Sequence, residues 1–269
     1  MESLSRWFEQ FFFAPEDSAR GSGGQVCTVI GSGGKTSLIW LLAESQRRRK
    51  VLVSPATKMY PPPPELHRCD RCFFGGEYPF PADGGEYPGG GICLAGILNK
   101  ETGKLEALSP EILSRIVPRY DLALLEGDGA RGLPLKGWAD HEPLVPPATT
   151  VTIGVIPATP LGEKASEDII FRLPQFVRLS GAREGQTITP LHLAAVITGN
   201  AGGRGLFSAA RGKKLLFINQ VEGPARQEQA RETASLLPAE FRSGLAAIIA
   251  GSVKQNQAEV LYFHGNSKF

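Results

Sequence analysis

The sequence Val26-Cys27-Thr28-Val29-Ile30-Gly31-Ser32-Gly33-Gly34-Lys35-Thr36 passes directly from a β-branched apolar segment into a glycine-rich one. A short, uninterrupted apolar run predicts a buried strand of a parallel sheet. From Lys35 to about Arg49, apolar residues recur on a segment without glycine or proline, which predicts a helix. Lys50 to Val53 predicts a second strand. The order strand, loop, helix, strand is that of a βαβ unit.

The glycine-rich segment has the composition of a phosphate-binding loop. Its glycines allow consecutive backbone N–H groups to converge on phosphate oxygens at a helix start, where the helix dipole favours negative charge. Lys35 adds a charge for the β- and γ-phosphates, and Thr36 adds a hydroxyl that can bind Mg²⁺. The usual eight-residue pattern has glycine where this chain has Val29, so the match is to a shortened G-x-x-G-K-T form. The residues predicted to bind a nucleoside triphosphate are Gly31, Ser32, Gly33, Gly34, Lys35 and Thr36.

Two other interpretations of this loop remain open. A glycine turn that only joins a strand to a helix has the same local pattern. A dinucleotide site would begin with Gly31-Ser32-Gly33, but the third glycine of that motif falls on Thr36. No acidic residue closes the second strand at Lys50 to Ser54 to bind a ribose.

The rest of the chain continues the alternation of strands and helices. The predicted strands are Tyr120 to Leu125, Val151 to Ile156, Leu215 to Ile218, Leu245 to Ala250 and Val260 to Phe263, the last two at an edge. The predicted helices are Pro110 to Val117, Ser166 to Leu179, Pro190 to Thr198 and Ala225 to Leu237. Ile92 to Leu98 and Lys104 to Leu108 are expected to pair as a hairpin, and the Pro/Gly-rich Tyr60 to Gly91 to form a long surface loop. We predict one α/β domain over residues 1–269, with a three-layer P-loop NTPase-like fold and a mainly parallel sheet.

Two acidic residues follow the predicted strand Tyr120 to Leu125. Glu126 and Asp128 stand two residues apart, so an extended strand end would direct both side chains to one side. Carboxylates beside a phosphate-binding loop hold the metal or orient the attacking water. We predict that Asp128, Glu126 and Lys35 are catalytic and that Thr36, Asp128 and Glu126 bind Mg²⁺. A solvated pair of acids in a turn is the alternative interpretation.

Basic residues come next in the segment Ala130-Arg131-Gly132-Leu133-Pro134-Leu135-Lys136. Arg131 and Lys136 are predicted to contact the phosphates or to bind an acidic substrate. Solvated surface charge is the alternative for each of them.

Three motifs together resemble the YqeC family: Val29 to Thr36, Ala56-Thr57-Lys58-Met59, and Glu126-Gly127-Asp128-Gly129-Ala130-Arg131-Gly132-Leu133-Pro134-Leu135-Lys136. The likeness extends through His141-Glu142-Pro143 and Gly154-Val155 to Ile218-Asn219. Members of this family are accessory factors of selenium-dependent molybdenum hydroxylases. The resemblance implies a P-loop fold and a role in cofactor maturation, with a molybdenum hydroxylase client or its cofactor precursor as partner. It also implies that Thr57 and Lys58, at the carboxyl end of the second strand, face the phosphates; ordinary loop residues are the alternative.

Composition excludes several classes of partner. The 29 basic and 27 acidic residues leave a formal charge of +2, so no overall field favours nucleic acid or an anionic membrane. No apolar stretch reaches the roughly 18 residues that a membrane span requires. Acidic residues interrupt the N-terminal segment, which argues against a signal peptide. We expect a cytoplasmic protein that binds neither nucleic acid nor membranes.

An aromatic helical face is predicted within Ser3 to Phe13. Its members recur at helical spacing and are Leu4, Trp7, Phe8, Phe11 and Phe12. Packing on the core is the expectation, and contact with a partner or a membrane is the alternative.

The cysteines include Cys69-Asp70-Arg71-Cys72, which has the spacing of half a zinc site. His67 or Cys93 would complete such a site only if the long loop folds back. Reduced thiols are the expectation, with metal binding and a redox pair as alternatives. His141 is expected to have a structural role, with acid or base catalysis as the alternative.

The predicted activity is hydrolysis of a nucleoside triphosphate, ATP or GTP, with Mg²⁺ as cofactor and water as the attacking group. One alternative is phosphoryl or nucleotidyl transfer to a small substrate held by Arg131 and Lys136, as in a kinase or ligase. Another is a nucleotide-sensing chaperone or scaffold that hydrolyses slowly and presents its aromatic face or long loop to a client enzyme.

We expect ATP to bind at least as well as GTP. Asn219, predicted to bind the nucleotide, begins Asn219-Gln220-Val221-Glu222, which departs from the Asn-Lys-x-Asp guanine motif. Gln220 lacks the lysine charge, and Glu222 displaces the carboxylate by one methylene, so discrimination should be weak. A polar turn leading into Pro224 is the alternative interpretation. Competition of a labelled nucleotide by unlabelled ATP and GTP measures the preference, and a clear preference for GTP would show that the degenerate motif still recognises guanine.

Overall fold

Strand β2 (Gln25–Gly31) is the central element, and its residues from Val26 onward are buried. The computed structural model describes residues 2–11, 24–62, 69–75, 89–199 and 204–264. β2 pairs in parallel with β9 (Leu122–Glu126) on one side and with β11 (Val151–Pro157) on the other. An uninterrupted apolar strand of this kind is stable where both faces of the sheet are covered.

The other elements follow the predicted alternation. The remaining strands are β1 (Glu2–Ser3), β3 (Lys50–Pro55), β4 (Lys58–Met59), β5 (Arg71–Phe73), β6 (Gly91–Ala95), β7 (Ile97–Leu98), β8 (Leu105–Glu106), β10 (Leu135–Lys136), β12 (Ile170–Phe171), β13 (Lys213–Asn219), β14 (Ala247–Ser252) and β15 (Gln257–Phe263). The helices are α1 (Leu4–Phe11), α2 (Lys35–Ser45), α3 (Pro110–Ile116), α4 (Leu173–Ser180), α5 (Pro190–Thr198), α6 (Pro224–Ser235) and α7 (Ala239–Ser243), with a 3₁₀ helix at Val117–Arg119. None of these described helices has the length and apolar character needed to cross a membrane.

Ten strands of the described chain form one sheet, in the order β1-β15-β14-β13-β11-β2-β9-β3-β6-β5. Neighbouring strands from β14 to β5 are parallel. β15 is antiparallel to both β14 and β1. The prediction of an α/β fold with a mainly parallel sheet is therefore confirmed.

Helices cover both faces of this sheet. Along β13, Leu215 and Phe217 pack in a cluster with residues of α1 and α2, whereas Leu216 and Ile218 pack on the opposite face with α4, α5 and α6. Each such fully buried side chain contributes about 1.5–3 kcal/mol relative to an exposed one. The alternation of buried residues to the two faces produces three layers: helices, sheet and helices.

The N-terminal helix α1 packs on the core. Leu4, Trp7 and Phe8 are at most 1% exposed, and the rings of Trp7 and Phe8 meet edge to face at 5.5 Å. Core packing of these three residues is confirmed. The side chain of Phe11, with Phe12 and Phe13, lies outside the described residues.

Two predicted loop and hairpin segments differ from the structure. The segment from Tyr60 to Gly91, of which 63–68 and 76–88 lie outside the described residues, contains β5, which pairs in parallel with β6. The expected hairpin is limited to β7 and β8. Gly91–Ala95 joins the main sheet instead, because its apolar residues are buried alternately on both faces, with Ile92 in one cluster and Cys93 in another.

Two predicted boundaries and the predicted edge position of one strand also change. α2 ends at Ser45 and not near Arg49, and α4 begins only at Leu173, after the short strand β12. β14 lies inside the sheet, where it pairs with both β13 and β15. Ser109 caps α3 as expected, because its side chain accepts the N–H of Ile112.

The direction of chain connection reverses at β2. The chain runs from β2 through α2 to β3, and β9 later fills the position between them; it then crosses to β11 on the far side of β2. In open α/β sheets such a reversal creates a crevice at the carboxyl ends of the strands, where ligands bind. The glycine-rich loop, which follows β2, lies at this point.

Candidate functional site

The glycine-rich loop leaves β2 and enters α2 through a tight turn. Gly31 has φ 105° and Gly34 has φ 112°, both in the left-handed region. A Cβ on Gly31 would lie 2.0 Å from the carbonyl oxygen of Val155, and a Cβ on Gly34 would lie 2.3 Å from Nδ2 of Asn219. Backbone conformation and space therefore both require glycine at these two positions.

A cleft of about 1270 Å³ lies beside this loop. The predicted site residues that line it are Gly33, Gly34, Lys35, Thr36, Thr57, Lys58, Glu126, Arg131 and Asn219. Drug-sized ligands occupy pockets of roughly 300–1,000 Å³, so the cleft has room for a nucleotide and a further small molecule. The predicted site residues that do not line it are Gly31, Ser32, Asp128 and Lys136.

Gly31 and Ser32 anchor the loop to its surroundings. The N–H of Gly31 donates to Oδ1 of Asp128 at 2.9 Å, and the N–H of Ser32 donates to the carbonyl oxygen of Val155 at 3.0 Å. Ser32 is only 1% exposed. Contact with a ligand is therefore left to the residues that follow, where the first N–H groups of α2 have no acceptor within the helix.

Lys35 meets the two predicted acidic residues beneath the loop. Its Nζ donates to the carbonyl oxygen of Gly31 at 2.6 Å. The same atom lies 3.5 Å from Oδ1 of Asp128 and 4.0 Å from Oε1 of Glu126. The two-residue spacing after β9 thus brings both carboxylates to the lysine.

Glu126 also holds the hydroxyl of the loop threonine. Oγ1 of Thr36 donates to Oε2 of Glu126 at 2.7 Å. Burial raises the pKa of the Glu126 carboxyl, and Lys35 and Thr36 oppose this rise. The hydroxyl and one of the carboxylates predicted to bind a metal are therefore adjacent.

Asp128 is less accessible than the sequence suggested. It is 0% exposed; Oδ1 accepts the N–H of Gly31, and Oδ2 accepts Nζ of Lys136 at 3.1 Å and Nε1 of Trp138 at 2.8 Å. These donors occupy both carboxylate oxygens, so direct metal ligation by Asp128 does not fit this arrangement. Asp128 holds the loop in place.

Lys136 does not reach the cleft, contrary to the predicted substrate contact. It is 0% exposed, and its Nζ donates to Asp128, to the carbonyl oxygen of Gly129 at 2.7 Å and to Oε2 of Glu142 at 2.9 Å. The short strand β10 directs this side chain beneath the loop, where two carboxylates balance its charge.

Asn219 positions the loop from the other side of β2. Its Nδ2 donates to the carbonyl oxygen of Gly33 at 2.8 Å, and its Oδ1 accepts the N–H of Val253 at 3.1 Å. One hydrogen of the amide remains for a ligand. In the same wall of the cleft, Oγ of Ser252 donates to Glu222 at 2.7 Å.

Thr57 and Lys58 both line the cleft, as the resemblance implied. Lys58 pairs with Glu106 at 2.7 Å. Oγ1 of Thr57 is shielded from solvent and has no hydrogen-bond partner among the described residues. A buried hydroxyl in this state costs about 1–3 kcal/mol, which a ligand in the cleft would reduce.

Phe171 and Arg172 were not predicted as site residues, but both line the cleft together with Arg131. The guanidinium carbons of Arg131 and Arg172 lie 4.8 and 4.6 Å from the centroid of the Phe171 ring. No spacing pattern links residues this far apart in the chain. His141, the candidate acid or base, is exposed and also lines the cleft.

The cysteines do not line the cleft. Burial raises the pKa of Cys69 to about 12 and that of Cys93 to about 11, so both remain neutral thiols near neutral pH. Within the described ranges, no group of three His, Cys, Asp or Glu residues is placed to hold a metal ion. His67 lies outside the described residues.

Comparison with known proteins gives a consistent result. A family model described as "YqeC protein" matches residues 27–174, which include the loop, both acids and Phe171. The chain is 28% identical over 242 residues to "Uncharacterized protein YqeC" of Escherichia coli (strain K12), with 87% of this chain and 89% of that protein covered. No solved structure matches the chain.

Glu126→Gln is expected to leave thermal stability near neutral pH unchanged or raised. The amide oxygen can still accept the hydroxyl of Thr36, and the neutral side chain avoids the desolvation that raises the pKa of Glu126. Since the folded-state pKa lies above the unfolded value of about 4.3, ionisation at higher pH favours unfolding of the wild type. The advantage of the variant should therefore vanish below about pH 4.

Thermal melts of wild type and Glu126→Gln, near neutral pH and below about pH 4, measure the difference in stability. Glu101→Gln, at an exposed position, is the control. If the Glu126 variant melted clearly below wild type near neutral pH, the ionised carboxylate would be stabilising through Lys35.

Asp128→Asn is expected to lower the free energy of unfolding by about 3 kcal/mol, because it breaks a buried ion pair with Lys136. The amide also presents one acceptor oxygen to the three donors that surround it. Urea unfolding measures the loss. Asp140→Asn, at an exposed position nearby, should change stability by less than about 0.5 kcal/mol. Equal losses in the two variants would contradict the anchoring role of Asp128.

Proposed function

This chain belongs to the YqeC family, and from that premise and the geometry of the cleft we propose that it binds a nucleoside triphosphate with Mg²⁺ and hydrolyses it. The observation that carries the proposal is the contact between Thr36 and Glu126 at 2.7 Å, beside Lys35 and at the start of α2. A metal-binding hydroxyl, a carboxylate and a phosphate-binding lysine meet there at the carboxyl end of the central strand.

The backbone supports binding of the phosphates. Gly33 and Gly34 line the cleft at the start of α2, where unpaired N–H groups and the helix dipole favour an anion. β9, which ends at Glu126 two residues before Asp128, is the direct neighbour of β2, which leads into the loop. This juxtaposition is the one expected of a P-loop NTPase-like fold, and the proposal includes that fold.

The donor set fits Mg²⁺. Thr36 and Glu126 supply hard oxygen ligands, and Mg²⁺ is commonly held by one or two protein oxygens together with waters and substrate phosphates. A third protein ligand is therefore not required, and Asp128 is buried away from the cleft. When bound, the ion would offset phosphate charge that otherwise opposes attack by water.

In this proposal, Lys35 stabilises the negative charge of the phosphates. Its side chain is 5% exposed, and its ammonium is held by the carbonyl of Gly31 and the two carboxylates, so the charge is positioned before a ligand arrives. A phosphate oxygen in the cleft would accept a hydrogen bond from this ammonium. A fixed charge in a water-poor site stabilises the charge that develops on the β- and γ-phosphate oxygens without reorganisation.

For the cellular role, the proposal retains what the resemblance to the family implies. The activity would assist the maturation of a selenium-dependent molybdenum hydroxylase or its cofactor. Copurification of such an enzyme and a change in its cofactor content on loss of this protein would test that role.

Lys35→Ala is expected to weaken binding of a Mg²⁺–nucleoside triphosphate roughly 10- to 100-fold, because charge-assisted hydrogen bonds are lost. Calorimetric titration of ATP and GTP, with and without Mg²⁺, measures the affinity. Lys100→Ala, an exposed lysine outside the cleft, is the matched control. Equal affinity in wild type and Lys35→Ala would remove the phosphate-binding assignment. Release of inorganic phosphate that requires both Mg²⁺ and Glu126 then tests hydrolysis.

A further inference from the structure

We propose that the cleft contains a second binding site, built from Arg131, Phe171 and Arg172, for a phosphate or carboxylate group of a small molecule other than the nucleotide. This inference rests on the proposed nucleotide site, beside which the second ligand would lie. It goes beyond hydrolysis because water needs no such site.

The aromatic ring of Phe171 holds the two arginines in place. Both guanidinium groups lie over this ring, with their central carbons 4.8 and 4.6 Å from its centroid. Stacking on an aromatic face orients the planar guanidinium and leaves its N–H groups at the edge free to donate. All three side chains line the cleft, so both guanidinium groups belong to the same cavity.

The charge of Arg131 is not balanced by a carboxylate of the described residues. Within the described part of the chain, Arg131 forms no ion pair, and it is exposed. Arg172 donates to Glu142, but the same carboxylate also accepts Lys136 at 2.9 Å. Of the two guanidinium groups at the Phe171 ring, Arg172 has a carboxylate partner and Arg131 has none among the described residues. Like charges near a common ring repel each other unless an anion joins them.

The lining of the cleft as a whole contains more basic than acidic residues. Its basic residues are Lys35, Lys58, Lys104, Arg131, Arg172 and Lys254, and its acidic residues are Glu126, Glu142 and Glu222. A Mg²⁺–triphosphate at the loop would use Lys35, while the two arginines would keep their charge. The paired N–H groups of guanidinium match the oxygens of carboxylate and phosphate in two parallel hydrogen bonds.

The position of the arginines separates them from the region where Asn219 and Ser252 lie. Arg131 follows β9, whereas Asn219 ends β13, and these strands are on opposite sides of β2 in the sheet. A nucleotide whose phosphates rest on the loop and whose base extends toward Asn219 would leave the Arg131 side open. The cleft volume of about 1270 Å³ accommodates both ligands.

The backbone at both arginines guides the choice of variants. Arg131 has φ 53° and Arg172 has φ 59°, in the left-handed region that costs most residues free energy. Asparagine adopts this region more readily than other non-glycine residues, so Arg→Asn removes the charge without opposing the backbone. Arg131→Asn also breaks no ion pair, which makes it the variant least prone to misfold.

The test is a calorimetric titration of inorganic phosphate into protein saturated with Mg²⁺ and a non-hydrolysable ATP analogue. Wild type is expected to bind phosphate, and the double variant Arg131→Asn/Arg172→Asn to bind it at least about tenfold more weakly, as expected for lost charge-assisted contacts. Affinity for the analogue should stay the same. Arg183→Asn, an exposed arginine outside the cleft, should behave as wild type. A parallel titration with malonate distinguishes a phosphate ligand from a carboxylate ligand.

Two outcomes overturn the proposal. In one, saturated wild type binds neither phosphate nor malonate. In the other, the saturated double variant binds the anion as tightly as wild type does. If this variant has also lost affinity for the analogue, the arginines belong to the phosphates of the nucleotide itself. The single variant Arg131→Asn supplies the same comparison if thermal melting shows that the double variant is unfolded.

A failure of the nucleotide proposal gives a different pattern. If wild type binds no nucleotide, phosphate is titrated into Lys35→Ala, whose loop lacks its cation. If adding Arg131→Asn to Lys35→Ala abolishes phosphate binding, the second site is supported without the nucleotide. If phosphate binding is unchanged, the second site is contradicted.

Discussion

The carboxylate of Asp128 is the interaction on which the cleft depends. At 0% exposure it accepts the N–H of Gly31, the indole N–H of Trp138 and the ammonium of Lys136, and it lies 3.5 Å from Nζ of Lys35. These contacts join the end of β2, the start of α2 and the segment around β10. An ionised carboxylate in the interior requires its partners, so the geometry of the loop and the burial of this acid depend on each other.

Asp128 is also the middle of a longer series of alternating charges. The series consists of Arg172, Glu142, Lys136, Asp128, Lys35 and Glu126. Its two ends face the cleft at the proposed anion site and at the proposed metal site, while its middle is buried. In a low-dielectric interior such contacts strengthen one another. A continuous run of ion pairs thus lies between the proposed anion site and the proposed metal site.

Features that cost folding free energy are concentrated in this cleft. Four non-glycine residues of the described chain have positive φ, and three of them, Arg131, Arg172 and Gln220, line it. Burial opposes ionisation of Glu126, and the hydroxyl of Thr57 is shielded without a hydrogen-bond partner among the described residues. Strain and desolvation at one place, on a sheet that is otherwise well packed, are typical of a site shaped for binding. A charged or polar ligand would offset the costs at Glu126 and Thr57.

The strand–loop–helix unit and most of the strands and helices were predictable from the residues alone, because apolar periodicity, glycines and caps act between residues close in the chain. The helix predicted at Pro190–Thr198 has those bounds in the structure, and the spacing of Glu126 and Asp128 correctly placed both beside the loop lysine. Three features became visible only in the folded chain: Asp128 and Lys136 lie beneath the cleft, β5 and β6 extend the main sheet, and Arg172 shares an aromatic ring with Arg131. Burial, ion pairing and strand order depend on groups that are distant in sequence, and no local pattern of residues carries that information.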